Sequence, residues 1–392
     1  MQSGQAEWPN FCGDLEPFPT MNNPILQFGT SRFLQAHVDF FVAQSPATAL
    51  GKITVVQTTS SADSAARIDA LRSARRYPVR IRGLDRNQTV DKTIECDSIS
   101  EALHAGSDWP LLIERMKRDV KVIVSNTADA GYALYDEDTA DLLDGDRTPC
   151  GFAAKLAVLL YARFNAGGAA ITLMPCELVS CNGDTLRDLV IGVARGWRVE
   201  DAFIGFLKTK CVWANSLVDR IVSEPIHPVG AIAEPYALWA IERQAGMTLP
   251  CEHEDIVITD DLAHYERLKL LLLNLGHTML AELWRNRNGT PDMTVLDAMR
   301  DPAFRDPLEA TWREEVLPVF TALDIQKEAN DYLASVRDRF ENPFLVHRLA
   351  DIARNHDEKK TRRFQPVVGL ARELRLDIEQ KRLRDALKNR LR

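Results

Sequence analysis

The chain contains no run of 18 or more apolar residues, which argues against a membrane-spanning helix. Met1 to Pro19 is polar and acidic without an apolar stretch, so it does not read as a signal peptide. Positive charge is not in excess. The formal net charge is -8, which gives no reason to expect a nucleic-acid or membrane partner. Seven cysteines in 392 residues suit a reducing compartment better than a disulfide scaffold, and a cytoplasmic location is the resulting expectation. Cys176 and Cys181 stand five apart and Cys251 lies two before His253, yet neither set completes four zinc ligands. No metal is expected. Internal repeats, low-complexity linkers and a complete Gly-x-Gly-x-x-Gly turn are also missing.

The residues present describe a folded protein, with 45% hydrophobic and 27% charged residues. Its length suggests two domains. Pro24-Ile-Leu-Gln-Phe28 reads as a short strand, followed by Gly29-Thr-Ser-Arg32 and a helical pattern from Phe33 to Val42. A second strand follows at Ile53 to Gln57, completing the opening unit of a nucleotide-binding α/β domain. Val79 to Arg82 and Gln88 to Glu95 suggest an antiparallel insertion. Asp119 to Val124 and Ala170 to Pro175 read as further buried strands, each with polar residues at its end, and residues 152–164 as the helix between them. This pattern favours a mostly parallel sheet with ligands at its carboxyl edge. Beyond Asp261 helical periods dominate, at 262–285, 307–317, 324–337 and 343–354, and no strand stands out among them. The expected architecture is therefore a Rossmann-type α/β domain over 1–260, followed by a mainly α-helical substrate domain over 261–392. The Arg- and Lys-rich end from Ile378 reads as a solvated helix packed on the body.

Lys269-Leu-Leu-Leu-Leu-Asn274-Leu-Gly-His277 carries the clearest chemistry. An amine, an amide and an imidazole interrupt a segment that is otherwise almost pure leucine. At about 100° per residue, Lys269, His277 and Asn274 fall at roughly 0°, 80° and 140° around a helix. They can then line one wall of a cavity while the leucines pack elsewhere. Desolvation disfavours a charged amine, which is one way to make a general base. The plainer reading is a core helix with a snorkelling lysine and a satisfied core histidine.

Gly29 lies at the first strand-to-helix turn, where exposed backbone amides can hold pyrophosphate. Ser31 occupies the second glycine position of the dinucleotide pattern, and Arg32 is either a phosphate partner or a surface cation. The second strand ends Gln57-Thr58-Thr59-Ser60, without the acidic residue that normally receives the adenosine ribose 2′-hydroxyl. NAD is the expected cofactor, and this ending leaves NADP open.

Several segments together resemble the polyol-specific long-chain dehydrogenase/reductase family, also called the mannitol dehydrogenase family. They are Ile25 to His37, Val124 to Tyr132, Pro175-Cys-Glu-Leu178, Asn182-Gly-Asp184 and Asn215 to Ile221. Glu234-Pro235 with Trp239, Tyr265 to His277, Arg339-Phe-Glu-Asn-Pro343, and Lys359 with Arg363 complete the set in family order. The resemblance spans residue 25 to about 366, and its Lys-x4-Asn-x2-His element is specific.

The resemblance implies that Lys269 is the general base for alcohol oxidation and the general acid for ketone reduction. It implies that Asn274 and His277 hold the reacting oxygen, and that Glu266 exchanges protons with solvent. A local ion pair between Glu266 and Lys269 is the alternative for that glutamate. Asp219, Lys359 and Arg363 match positions lining the substrate cleft, with Asn342 and His347 as weaker candidates. Phe28, Gly29, Thr30, Ser31, Arg32, Phe33, Asn126 and Thr127 are the expected cofactor contacts.

There are departures from the family pattern. Polyol-oxidising members carry a second oxyanion asparagine after Cys-Asp, and Leu178 takes that place in Cys176-Glu177-Leu178. That tripeptide is more similar to tagaturonate reductase, and it leaves Glu177 to orient a nearby polar group. The expected activity is NAD(P)-dependent interconversion of a secondary alcohol and a ketone on an open-chain sugar acid, such as a hexuronate, or a polyol. The protein acting would be a monomer or a homodimer. A sugar-phosphate dehydrogenase of the mannitol-1-phosphate type and a non-catalytic NAD-binding sugar sensor are the alternatives.

Overall fold

The computed structural model describes residues 23–59, 62–74, 76–127 and 129–389. The readings of Met1 to Pro19, of Ser60 and of Ala128 lie outside the described residues. Thirteen strands are present among those described. They are β1 (Ile25–Phe28), β2 (Ile53–Gln57), β3 (Tyr77–Asp85), β4 (Gln88–Cys96), β5 (Ile99–His104), β6 (Val122–Ser125) and β7 (Ile171–Pro175). Then follow β8 (Cys211–Trp213), β9 (Ser216–Asp219), β10 (Val222–Pro225), β11 (Ala231–Ala233), β12 (Leu238–Glu242) and β13 (Ile256–Thr259).

Six strands form one parallel sheet in the order β5-β2-β1-β6-β7-β8. The chain leaves β1 in one direction for β2 and β5, then returns to its other side for β6, β7 and β8. That reversal between β1 and β6 is the topological switch point, where such sheets open a crevice at their carboxyl ends. Every residue of β1, β2, β6 and β7 is buried, Gln27, Thr54, Gln57, Ser125 and Thr172 included, which explains their largely apolar character.

The expected insertion is the hairpin β3–β4, longer at both ends than its apolar pattern suggests. Arg86 and Asn87, at φ 51° and 61°, form the two-residue turn whose twist suits a hairpin. It joins β10 and β11 in a four-stranded sheet, while β9, β12 and β13 form a three-stranded one. The short strands from β8 to β13 were not anticipated, because three to five residues give too little alternation to stand out.

Past Asp261 the chain is helical, apart from an isolated bridge between Thr294 and Arg348. The 262–285 period is one continuous rod, Leu262–Leu268, Lys269–Asn274 and Leu275–Asn286, whose middle segment is a π-helical turn. Three sequence readings need correction here. Residues 33–42 are two short helices, Arg32–Gln35 and Val38–Gln44, broken at Ala36-His37. The 343–354 helix shrinks to Leu349–Ile352, and an 18-residue helix at His356–Glu373 was not foreseen. Pro366 inside it and a dense charged surface hide its apolar stripe of Phe364, Val367 and Ala371. The helix at Lys381–Lys388 does pack on the body, through Leu383 and Ala386. No helix among the described residues is long and apolar enough to cross a membrane.

Asp39, on the helix Val38–Gln44, is wholly buried, and its Oδ2 accepts a hydrogen bond from Gln27 Nε2 at 3.3 Å. Burial pushes its carboxyl up from 3.8 to about 8. The folded chain therefore holds this proton more tightly than the unfolded chain. The stability involved is fully present below about pH 4 and is lost as pH rises through about 8. Asp39→Asn is expected to flatten that loss. Urea midpoints taken across the same window check it, and an unchanged slope would assign the loss to another group.

Candidate active site

A cleft of about 640 Å³ lies between the sheets and the helices. Lys269, Asn274, His277, Glu266, Asp219, Lys359 and Arg363 all line it, and His347 joins them. Asn342 does not. Its amide donates to Arg82 O at 3.3 Å and its Oδ1 accepts from Phe344 N, so it caps a loop instead.

The π-helical turn gathers the polar trio. An i→i+5 bond carries five residues slightly past one full turn, so Asn274 sits about 50° from Lys269 rather than about 140°. Three α-helical steps then bring His277 to within about 10° of the Lys269 direction. Side chains from neighbouring helices add donors to carbonyls of this turn. Trp312 Nε1 donates to Leu272 O at 3.2 Å, and Arg363 Nη1 donates to Asn274 O at 3.2 Å and to Thr278 Oγ1 at 2.8 Å. Gly276 lets Trp312 approach, since a Cβ there would stand 2.4 Å from the indole ring.

Lys269 is not the lone buried amine that its leucine surroundings suggested. Its Nζ donates to Val218 O at 2.8 Å and lies 3.4 Å from Asp219 Oδ1. Asp219 is gripped in turn by Arg339 at 2.8 and 3.0 Å and accepts from the Tyr332 hydroxyl at 3.1 Å. Arg339 also pairs with Glu234 at 2.9 Å. Burial alone would raise the Asp219 carboxyl, but Arg339 and Lys269 hold it well below its ordinary range. Asp219 thus faces the cleft as a committed counter-ion. Arg339 was missed as a site residue, although it interrupts the buried stripe Leu333, Val336 and Phe340 at helical spacing.

His277 packs against Phe340 at 4.3 Å and His347 at 4.8 Å between ring centres. Burial first, then His347, Arg339 and Arg363, pull it far below the usual imidazole value, so it is neutral. A neutral ring can offer one N–H to an oxygen in the cleft. Among the described residues, Glu266 makes no salt bridge with Lys269. Burial and the nearby Glu242 raise its carboxyl. Lys359 donates to Ile352 O at 2.8 Å, and Arg362 adds a third cation to the wall that Lys359 and Arg363 form.

At the switch point, Gly29 has φ 117°, and a Cβ there would stand 2.6 Å from Asn126 O. This close approach of β1 to β6 keeps the turn clear for a dinucleotide. Ser31 caps the next helix by accepting from Leu34 N and donates to Asn126 Oδ1, both at 3.2 Å. Its hydroxyl is thus already engaged. Phe28 is buried against Phe152, Phe33 stacks on His37, and Arg32 is exposed. Thr30 is buried and offers its backbone at the turn. Glu177 does orient neighbouring groups, accepting from Ser125 Oγ at 3.1 Å and from Thr127 N and Oγ1, each at 2.9 Å. It also lines the cleft, joining the cofactor crevice to the catalytic trio. Leu178 beside it is 79% exposed, an apolar side chain at the cleft wall. Among the described residues no cluster of ligating side chains could hold a metal ion.

Residues 23–250 match the family model for the mannitol dehydrogenase Rossmann domain, and 261–385 match that for the mannitol dehydrogenase C-terminal domain. The chain is 30% identical over 367 residues to altronate oxidoreductase of Halalkalibacterium halodurans, covering 88% of this chain and 70% of that protein. Identity to the altronate oxidoreductase of Bacillus subtilis is 30% over 369 residues, covering 86% and 73%. Substrate-free D-sorbitol dehydrogenase shares the fold with a TM-score of 0.78 at 19% identity, over 94% of this chain and 81% of that one. Mannitol 2-dehydrogenase of Pseudomonas fluorescens, solved with NAD and D-mannitol, follows at 0.69 and 20%, over 93% and 78%.

Removing one member of a buried ion network leaves the others unpaired, at about 3–5 kcal/mol. Arg339→Met is expected to destabilise the fold by that order, because Asp219 and Glu234 lose their shared partner. Equilibrium urea unfolding measures it, and a loss under about 1 kcal/mol would deny the network its structural weight.

Proposed function

This chain belongs to the mannitol dehydrogenase family, and on that footing we propose that it interconverts a secondary alcohol and a ketone on an open-chain sugar acid, using NAD. The observation that carries the reading is one cleft in which Lys269, Asn274 and His277 share space with the cations Lys359, Arg362 and Arg363. The altronate oxidoreductases act, by name, on a sugar acid, which matches that cationic wall.

We assign Lys269 as the group that takes the hydroxyl proton in oxidation and returns it in reduction. Its hydrogen bond to Val218 O and its contact with Asp219 hold the amine at a fixed place in the wall. Asn274 and neutral His277 supply donors for the oxygen as negative charge develops on it. Glu266 has a raised carboxyl suited to passing the proton toward solvent. When bound, the nicotinamide supplies the hydride acceptor or donor. The turn at Gly29 to Arg32 and the β6 end at Asn126 and Thr127 are the groups we place against it. Lys359 and Arg363 take the substrate carboxylate, with the arginine geometry suited to a paired grip. We place the boundary between the nucleotide-binding and helical units after Asp260, and the reaction in the cytoplasm.

Lys269→Ala is expected to lower turnover by several orders of magnitude while NADH affinity, read by fluorescence titration, stays within about twofold. Near-normal turnover would remove Lys269 as the base. Lys359→Ala is expected to raise KM for a ketouronate at least about tenfold, with kcat changed much less. Assays over uronates, aldonates, neutral polyols and sugar phosphates decide the substrate. Turnover of a sugar phosphate alone would move the protein to a phosphate-specific activity, and NADH binding without any turnover would make it a sensor.

A further inference from the structure

A second cavity of about 420 Å³ lies on the far side of Arg339, between the β3–β4 hairpin and the helical region. Arg339 is the residue it shares with the catalytic cleft. Arg339 is neutralised there by Asp219 and Glu234, and Asp338 by two backbone amides of the hairpin turn, Arg86 N at 2.7 Å and Asn87 N at 3.1 Å.

Arg220 is different. It is only 7% exposed, yet among the described residues no carboxylate is in salt-bridge contact with it. Its Nε donates to Glu234 O at 3.1 Å and its Nη1 to Ala36 O at 2.7 Å, both neutral carbonyls. The Phe40 ring covers one side of the guanidinium at 4.9 Å. Nη2 has no hydrogen-bond partner among the described residues, and the side chain lines the cavity. Burial pulls this group down to about 10 against the upward pull of Asp255 and Glu234, neither in salt-bridge contact with it, so it remains a cation near neutral pH. A buried cation normally has a counter-charge in direct contact, and Arg220 has none among the described residues. Asp255 and Glu254 also line the space. Burial raises Asp255 to about 6 while the Arg220 charge lowers it, so Asp255 is a counter-charge across the cavity that makes no salt-bridge contact with the guanidinium. Exposed Arg86 and Lys92 stand at the rim.

We propose that this cavity is a second binding site, separate from the catalytic cleft, for a small oxyanion held by Nη2 of Arg220. The ligand class is a carboxylate or phosphate group on a molecule of sugar-acid size or less, which the volume accommodates. Guanidinium grips either group through the same planar pair of donors.

Calorimetric titration of the whole protein with inorganic phosphate, and separately with malonate, tests this. Arg220→Met removes the cation, and Ser335→Phe fills the cavity from the helical side without touching it. Lys359→Ala controls for anions bound in the catalytic cleft. The expected result is saturable binding by the wild type, at least about tenfold weaker in both cavity variants and unchanged in Lys359→Ala. Tighter phosphate binding assigns a phosphorylated ligand, and tighter malonate binding an organic acid. Saturable binding that survives both cavity variants, or that disappears with Lys359→Ala, would overturn the proposal, as would no binding by the wild type. Ser335→Phe keeps the test decisive should Arg220→Met fail to fold.

Discussion

The alternating charges Lys269, Asp219, Arg339 and Glu234 hold the site together. Asp219 ends β9 and Glu234 follows β11, while Lys269 and Arg339 come from two different helices. A buried ion costs several kcal/mol to desolvate, so a chain of four requires each neighbour to be in place. The network therefore fixes the distance between sheets and helices at the point where the base meets the cleft. Asp338, beside Arg339, repeats the linkage by holding the hairpin turn through two amides. The catalytic wall is thus set by contacts between units that are far apart in sequence.

The π-helical turn depends on that packing as well. Its carbonyls take side-chain donors beside the helix's own, Trp312 at Leu272 O and Arg363 with Thr278 at Asn274 O. Trp312 reaches its carbonyl because position 276 has no side chain, and Phe340 packs against the same face. Arg363 has two tasks, since one nitrogen anchors Asn274 from behind while the side chain also lines the cleft. An anion drawn to Arg363 would meet a group already bonded to the backbone carbonyl of Asn274.

Much of this was legible in the sequence. The largely apolar strands and the glycine turn revealed the parallel sheet, because burial on both faces leaves that mark. Lys269, Asn274 and His277 stood out as polar residues in a leucine-rich rod, and the cleft does contain all three. Their place on one wall was legible from the helical wheel, but its spread of about 140° was too wide, because the wheel assumes one rotation per residue throughout and the π-helical turn narrows it. The pairing of Asp219 with Arg339 spans 120 positions and leaves no local pattern. The short strands β8 to β13 were hidden by brevity, and the helix His356–Glu373 by its charges and Pro366. Arg339 did leave a trace, an arginine on an apolar helical stripe, which signals a buried partner on physical grounds alone.

Glu177 and Leu178 bring the cofactor crevice and the substrate cleft to one place. Three donors from β6 and its exit converge on the Glu177 carboxylate, which stiffens the carboxyl edge where the nicotinamide end would rest. The next residue, Leu178, presents an apolar side chain to the same cleft, so this part of the wall offers no side-chain donor. Asn274 and His277 come from the helical rod, and the cations lie on the helix that carries Lys359 and Arg363. A neutral polyol offers those cations only hydroxyl acceptors, whereas an acid brings them a full negative charge while leaving its hydroxyls for Asn274 and His277. The presence of the cationic helix therefore favours an acid as the substrate.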